Sequence, residues 1–233
     1  GGSYGGGAVV EWFLPMIHFE MASSKIRNVD IGNLSSIARM MKSNKGMKLL
    51  DLGCGNGSLS AEIQEWGFDV TGTDFSKSGI EIAKRNFPSV NFFQSSMETP
   101  LTKENEKQYD VVLAVEVVEH LLLPRQLFER AKEALKLNGK LIVTTPYHGY
   151  FKNLALALVN KYDYHWHPLR DYGHIKFFSI ETLTQLFIEQ GFEPLFELAA
   201  ELGAGNQRAH VQRQQALVLQ PIRHFAIDDA LGQ

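Results

Sequence analysis

Apolar residues along this chain gather into short runs that alternate with stretches repeating at helical spacing. Met47-Lys48-Leu49-Leu50 is a run closed by Asp51-Leu52-Gly53-Cys54-Gly55-Asn56-Gly57, and a helical pattern over Leu59 to Trp66 follows at once. Phe68 to Thr73 is a second run, ending in Asp74; a helix over about 77 to 87 then stops at Pro88. Val90 to Gln94 reads as a third strand. Asp110 to Val115, almost continuously β-branched, reads as a fourth strand buried on both faces. Pro124 to Leu137 predicts a helix with a charged outer face, Asn138-Gly139 a turn, and Lys140 to Thr145 a fifth strand ended by Pro146. Ser179 is placed to cap a helix whose buried stripe is Leu183, Leu186 and Phe187, up to Gly191.

At the ends of the chain the pattern is thinner. Leu34, Ile37, Ala38 and Met41 recur at helical spacing ahead of the first strand, and such a helix can cover a cleft from the N-terminal side. Phe192 to Leu198 and Ala216 to Pro221 are candidate last strands, joined by a polar Gln/Arg-rich stretch at 206–215. Strand and helix alternate throughout, which predicts a largely parallel, doubly wound, Rossmann-like α/β sheet with helices on both faces.

With 233 residues, 44% hydrophobic and 21% charged, the chain fits one α/β domain with an ample core. We expect that domain to span 23–233, with 1–22 a glycine-rich tail or expression remnant outside the fold. A net charge of −3 supplies no global attraction to nucleic acid or anionic membrane. Cys54 is the single cysteine, so no intrachain disulfide can form, and its place in the glycine turn marks it as a packing residue. No apolar run approaches a membrane span of about 18 residues, and residues 8–17 lack a basic leader and a cleavage site. The expected location is cytoplasmic.

The chemistry begins at the first glycine turn. Glycines there let the backbone turn tightly and a ligand approach the main chain without a Cβ in the way. Asp74, at the tip of the neighbouring strand, can accept two hydrogen bonds from a ribose diol, so the pair reads as nucleoside-binding. The spacing is Gly53-x-Gly55-x-Gly57, and Ser58 stands where a dinucleotide fingerprint would have its third glycine.

These residues resemble the class I S-adenosylmethionine methyltransferases, whose first motif has the form of Asp51 to Gly57 and whose second is an acid like Asp74. The resemblance implies seven strands with the last antiparallel, S-adenosylmethionine as cofactor, and a site spread over four strand ends. Asp51, Gly53, Cys54 and Gly55 would lie against its methionine portion, Asp74, Phe75 and Ser76 around its ribose, and Ser96 and Met97 at its adenine. Many relatives carry aspartate where Ser96 stands. Val115 and Glu116 would complete the set at the fourth strand end.

Glu116-Val117-Val118-Glu119-His120 is similar to the Glu-x-x-Glu-His element of the ubiquinone-biosynthesis O-methyltransferases. A helix starting near Glu116 would put Glu116, Glu119 and His120 on one face, where they could hold a divalent ion, as in small-RNA 2′-O-methyltransferases. The favoured reading has no metal: His120 is a general base or a satisfied polar residue, and Glu116, Glu119, His120 and His174 are the ligands only of the disfavoured alternative. The insert from Tyr147 to Phe178 carries nine of the 25 aromatic residues and four of the eight histidines, a composition suited to an acceptor pocket and lid. Its Gly173 to Phe178 resembles the Gly-x-His-x-x-Lys-Phe region of the quinone-pathway enzymes, which makes His174 the first candidate for a substrate-side base; His148, His165 and His167 read as surface or packing residues.

Three functions stay open on the sequence. A small-molecule O-methyltransferase fits the aromatic insert and the mild charge; an RNA or protein methyltransferase would want a basic surface. The third is a non-catalytic S-adenosylmethionine-binding module, or another Rossmann-like protein such as a reductase, which a preference for NADPH over S-adenosylmethionine would reveal.

Overall fold

The computed structural model describes residues 46–146, 150–163, 169–195 and 214–221. The helix expected around Leu34 to Met41, the tail 1–22, His148, His165, His167 and most of the Gln/Arg-rich stretch lie outside the described residues.

Five parallel strands build the sheet: β1 (Lys48–Leu52), β2 (Asp69–Asp74), β3 (Asn91–Gln94), β4 (Tyr109–Val115) and β5 (Leu135–Pro146), in the spatial order β3-β2-β1-β4-β5. Leu49 pairs with Val70 on one side and Val111 on the other, so the apolar positions of three strands fall in one row. The chain winds outward from β1 to β3, then crosses back to β4 on the other side of β1. That reversal opens a crevice at the carboxyl ends of β1 and β4, where open α/β sheets bind ligands.

Period-two alternation sends the two halves of each strand to opposite faces. Leu49, Val70, Val111, Leu113 and Ile142 meet Ile63 of α1 (Ser58–Glu65) and Ile80 and Ala83 of α2 (Lys77–Asn86). Leu50, Leu52, Val112, Leu141 and Val143 meet Leu127, Phe128 and Ala131 of α3 (Arg125–Ala134) and Leu183 and Phe187 of α5 (Ile180–Glu189). Helices therefore cover both faces. The short α4 (Tyr150–Leu158) lies in the insert between β5 and α5. Ser179 caps α5 in a reciprocal capping box with Thr182, which satisfies two otherwise orphaned backbone donors. Two more extended segments, β6 (Phe192–Leu195) and β7 (Gln214–Pro221), close the described chain.

The third helix is shorter than its periodicity suggests. It ends at Ala134, and the strand begins at Leu135 instead of after the Asn138-Gly139 turn. Leu135 pairs with Tyr109 and both are buried, while Lys136 bonds the Asp110 carboxylate, so tertiary pairing overrides helical propensity. Asn138 absorbs the resulting irregularity at φ 66°, and the ladder resumes at Lys140 opposite Val111.

Among the described residues no helix is long and apolar enough to cross a membrane. A polar cleft of about 640 Å³ opens at the amino ends of the strands, lined in part by Lys48, Asp69, Asn91 and Tyr109. It lies at the opposite end of the sheet from the crevice.

Phe128 is fully buried, with its ring edge-on to Phe187 at 4.9 Å and to Phe192 at 5.9 Å. Phe128→Ala should cost about 3 to 5 kcal/mol, the usual penalty for opening a cavity of that size. Urea denaturation measures it; a loss below about 1 kcal/mol would mean the three rings do not share one packed core.

Candidate functional site

The loop after β1 is built by left-handed glycines: φ is 85° at Gly53, 54° at Gly55 and 80° at Gly57. A Cβ on Gly53 would sit 2.5 Å from Val117, and one on Gly57 2.6 Å from Phe92, so these two are compelled by packing. Gly55 differs. A Cβ there would meet nothing within 4 Å, so the loop's middle turns its bare backbone toward open space.

The tips of β1 and β2 are joined directly. Gly53 N–H and Cys54 N–H donate to the Thr73 carbonyl, and Gly55 N–H donates to Asp74 Oδ2 at 3.0 Å. Ser76 N–H donates to Asp74 Oδ1 at 2.8 Å, and the Asp74 carbonyl accepts from Ser95 N–H. A carboxylate has about four lone-pair sites, so the half-buried Asp74 keeps two for a diol. Ser76 caps α2 through its hydroxyl, and Phe75 stands 64% exposed beside it, its carbonyl held by Gln94. Ser96 turns its hydroxyl to Glu98 N–H, and Met97 packs against the core edge.

Asp51 and Cys54 lie beneath this surface. Asp51 is 2% exposed and accepts a 2.6 Å hydrogen bond from the Ser60 hydroxyl, tying the end of β1 to α1. Cys54 is buried, and burial together with the Asp51 and Asp74 charges pushes its thiol well above the ordinary range. It is a packing residue.

The fourth strand end departs from expectation. No α-helix starts at Glu116: β4 ends at Val115, Glu116 takes φ 55°, and a single 3₁₀ turn spans Val118–His120. Glu116, Glu119 and His120 therefore do not share a helical face. The reason is local, because Glu116 N–H is drawn to Thr144 on β5, extending the sheet hydrogen bonding where a helix would need the backbone to curl away.

What the turn does instead is hold the insert. The Glu119 carbonyl accepts from both Ile175 N–H and Lys176 N–H, and His120 Nδ1 lies 2.9 Å from the Tyr172 carbonyl and 3.2 Å from that of Gly173. Carbonyls only accept, so His120 carries its proton on Nδ1 and leaves Nε2 with a lone pair. The His120 and His174 rings meet edge-on at 4.7 Å. Although one edge of His120 is exposed, enclosure of the ring lowers its pKa; the two carbonyl bonds pull the other way.

Glu119 is 1% exposed, with Oε2 accepting from the Thr145 hydroxyl at 3.0 Å and Oε1 lying 4.0 Å from His174 Nε2. Burial raises its carboxyl to about 7, against the hydrogen bonds made by its own backbone and by the Thr145 and Glu116 side chains. Glu119, His120 and His174 bring one ligand-type atom each within 4.8 Å of one another, a set without Glu116. Phe75 and Tyr172, the latter 86% exposed with φ 57°, face each other at 6.4 Å and link the first half of the site to the insert.

Sequence reasoning overlooked Thr145, Ser60 and Tyr172. Thr145 was accessible to it, being a polar residue at the tip of the strand beside β4. The Ser60 hydroxyl meets Asp51 and the Tyr172 carbonyl meets His120 only through the packing of α1 and of the insert, which neither residue type signals by itself.

The sequence profile of a methyltransferase domain matches residues 27–196. The chain belongs to this methyltransferase family. It is of the class I, S-adenosylmethionine-dependent kind, and S-adenosylmethionine is its cofactor. It is 34% identical over 179 residues to a ubiquinone biosynthesis O-methyltransferase of Azorhizobium caulinodans, covering 75% of this chain and 69% of that one. It is 30% identical over 151 residues to the protein of that name from Rickettsia typhi, covering 63% of this chain. The match spans about 60% of the length of the Rickettsia relatives. Among solved structures, a protein of Pyrococcus horikoshii shares the fold at TM-score 0.62 and 21% identity, covering 87% of this chain and 93% of that one. Magnesium protoporphyrin IX methyltransferase of Synechocystis, solved with S-adenosylhomocysteine, does so at TM-score 0.60 and 16% identity, covering 82% and 84%.

Burial lifts the Asp51 carboxyl from 3.8 to about 6, with the Ser60 bond opposing and the Asp74 charge adding. The folded state thus holds this proton more tightly than the unfolded state. Its stabilising contribution is present below about pH 4 and is lost as pH rises through about 6. Asp51→Asn should remove that loss, gaining up to about 3 kcal/mol on wild type between about pH 4 and about pH 7. Urea denaturation at both pH values measures the gain; parallel behaviour would mean that Asp51 does not titrate in this window.

Proposed function

We propose that this protein transfers the methyl group of S-adenosylmethionine to a hydroxyl oxygen of a small-molecule acceptor. The observation that carries the reading is one juxtaposition: an open, bare-backbone turn hydrogen-bonded to Asp74, beside an insert that faces His174 to His120. The ubiquinone biosynthesis O-methyltransferase names of the Azorhizobium and Rickettsia relatives support oxygen as the methylated atom and a small acceptor. The second reading, a macromolecular acceptor, has no specific observation in its favour.

In this reading Gly53 and Gly55 line the methionine portion through their backbone, with Asp51 and Cys54 supporting the turn from below. Asp74 takes the ribose diol, with Phe75 and Ser76 beside it; Ser96 and Met97 border the adenine, and Val115 and Glu116 the sulfonium. When bound, the cofactor supplies an already activated methyl group, so the protein's own work is alignment, exclusion of water and removal of one proton. His174 removes it, with His120 as the second base. His120 Nε2 keeps its lone pair because Nδ1 is committed to carbonyls.

The same reading treats 23–233 as one domain whose 147–178 insert forms the acceptor pocket. The sheet is completed by β7 and β6 to seven strands with order β3-β2-β1-β4-β5-β7-β6, supported by an antiparallel register from Leu141 opposite Leu219 to Pro146 opposite Gln214. A cytoplasmic setting is supported by a single, buried cysteine.

Three outcomes test this. Calorimetry should show binding of S-adenosylmethionine and not of NADPH; the reverse preference would refute the assignment. Asp74→Ala should weaken that binding by about 1 to 3 kcal/mol without unfolding the chain, since charge-assisted hydrogen bonds are lost; unchanged affinity removes Asp74 from the site. In a screen of phenols and catechols that reads S-adenosylhomocysteine release, turnover should survive EDTA. Loss of turnover to EDTA would convert Glu119, His120 and His174 from base and support into metal ligands.

A further inference from the structure

Among the described residues Glu119 Oε1 is buried with no hydrogen-bond partner, although the same carboxylate's Oε2 is satisfied by Thr145. An unsatisfied buried carboxylate oxygen is costly, and in a native fold it calls for a reason. The group it faces is His174 Nε2, 4.0 Å away. The segment carrying His174 is anchored to the turn carrying Glu119 on both sides: Ile175 and Lys176 donate to the Glu119 carbonyl, and His120 donates to the Tyr172 and Gly173 carbonyls. The two side chains thus face each other from elements locked together by main-chain hydrogen bonds, and a shift of about 1 Å would bring them to hydrogen-bond length. Catalytic hydrogen bonds are often long before the reactants bind and shorten when they do.

We propose that Glu119 is a positioning residue for His174: its free oxygen receives the His174 Nε2–H, fixes that tautomer, and leaves Nδ1 as the nitrogen that takes the acceptor's proton. This deepens the reaction proposed above and rests on it. In the step, the acceptor O–H proton passes to His174 Nδ1 and the oxygen's electron pair forms the bond to the methyl carbon. The carbon–sulfur bond breaks with its pair going to sulfur, which neutralises the sulfonium. The positive charge that appears on the imidazole lies beside a carboxylate already aimed at it. A buried neutral partner would not offset that charge. Among the described residues, the other titratable groups that bear on the pair include Glu116, whose side chain acts on Glu119, His120, whose ring touches that of His174, and Arg170, whose charge acts on His120.

The test reads the tautomer of His174 directly by nitrogen-15 NMR of the full chain. Spectra are taken after dialysis against EDTA, with the resonances assigned by their disappearance in His174→Gln. The expected wild-type spectrum shows a protonated Nε2 and an unprotonated Nδ1, and Glu119→Gln should shift the population toward the other tautomer while binding S-adenosylmethionine within about 2-fold of wild type by calorimetry. Wild type with Nδ1 protonated, or with the two forms evenly mixed, overturns the proposal without any variant, so a Glu119→Gln chain that fails to fold does not shield it. A tautomer unchanged in a folded Glu119→Gln overturns it equally. Failure of wild type to bind S-adenosylmethionine would instead sink the reaction on which the proposal rests.

Discussion

The hydrogen bond from Gly55 N–H to Asp74 Oδ2 is the contact on which the loop after β1 depends. It joins two strand tips that are adjacent in the sheet but separated in sequence by a helix, and it requires a left-handed backbone that glycine adopts without strain. Gly53 and Gly57 have no room for a side chain, because Val117 and Phe92 occupy the space. Gly55 has room and no occupant. Packing therefore dictates the flanks of the loop, and the open middle is where a ligand can reach the main chain.

The insert is held by a different device. The turn after β4 uses the Glu119 carbonyl and the His120 ring to pin the 172–176 segment, so the insert reaches the cofactor side through main-chain acceptors and not through a hydrophobic seam. Such a tie can hold a segment in register while leaving its outer surface uncovered. Phe75, Tyr172, Ile175 and Phe177 are all exposed.

Burial of charge runs through both regions. Asp51 and Glu119 are carboxyls removed from water, each held by one hydroxyl, Ser60 and Thr145 respectively. Hydrophobic residues would be less costly in these places. Asp51 ties the glycine turn to the first helix, and Glu119 carries an oxygen aimed at the insert. Both buried acids lie at the carboxyl ends of the sheet, at the site, where polar groups in a core are most often found doing chemistry.

The alternation of β-branched runs with helical periods was enough to read a doubly wound parallel sheet, because burial on two faces leaves the same composition on every strand. The Asp51 to Gly57 turn was legible for the same kind of reason: its glycines follow from a left-handed backbone and from the lack of room beside Gly53 and Gly57. The end of α3 and the conformation of Glu116 were not legible. Each is settled by a partner distant in sequence, Tyr109 for Leu135 and Thr144 for Glu116, and local propensity carries no record of who that partner is. Likewise, the histidines could be counted along the chain, but the pairing of His120 with His174 and the buried oxygen between turn and insert exist only because 172–176 folds back onto residues more than fifty positions earlier. Sequence determined which groups are present and where the chain turns on glycine; tertiary structure decided which of them face each other, since contact over that range depends on where the sheet places the strand ends.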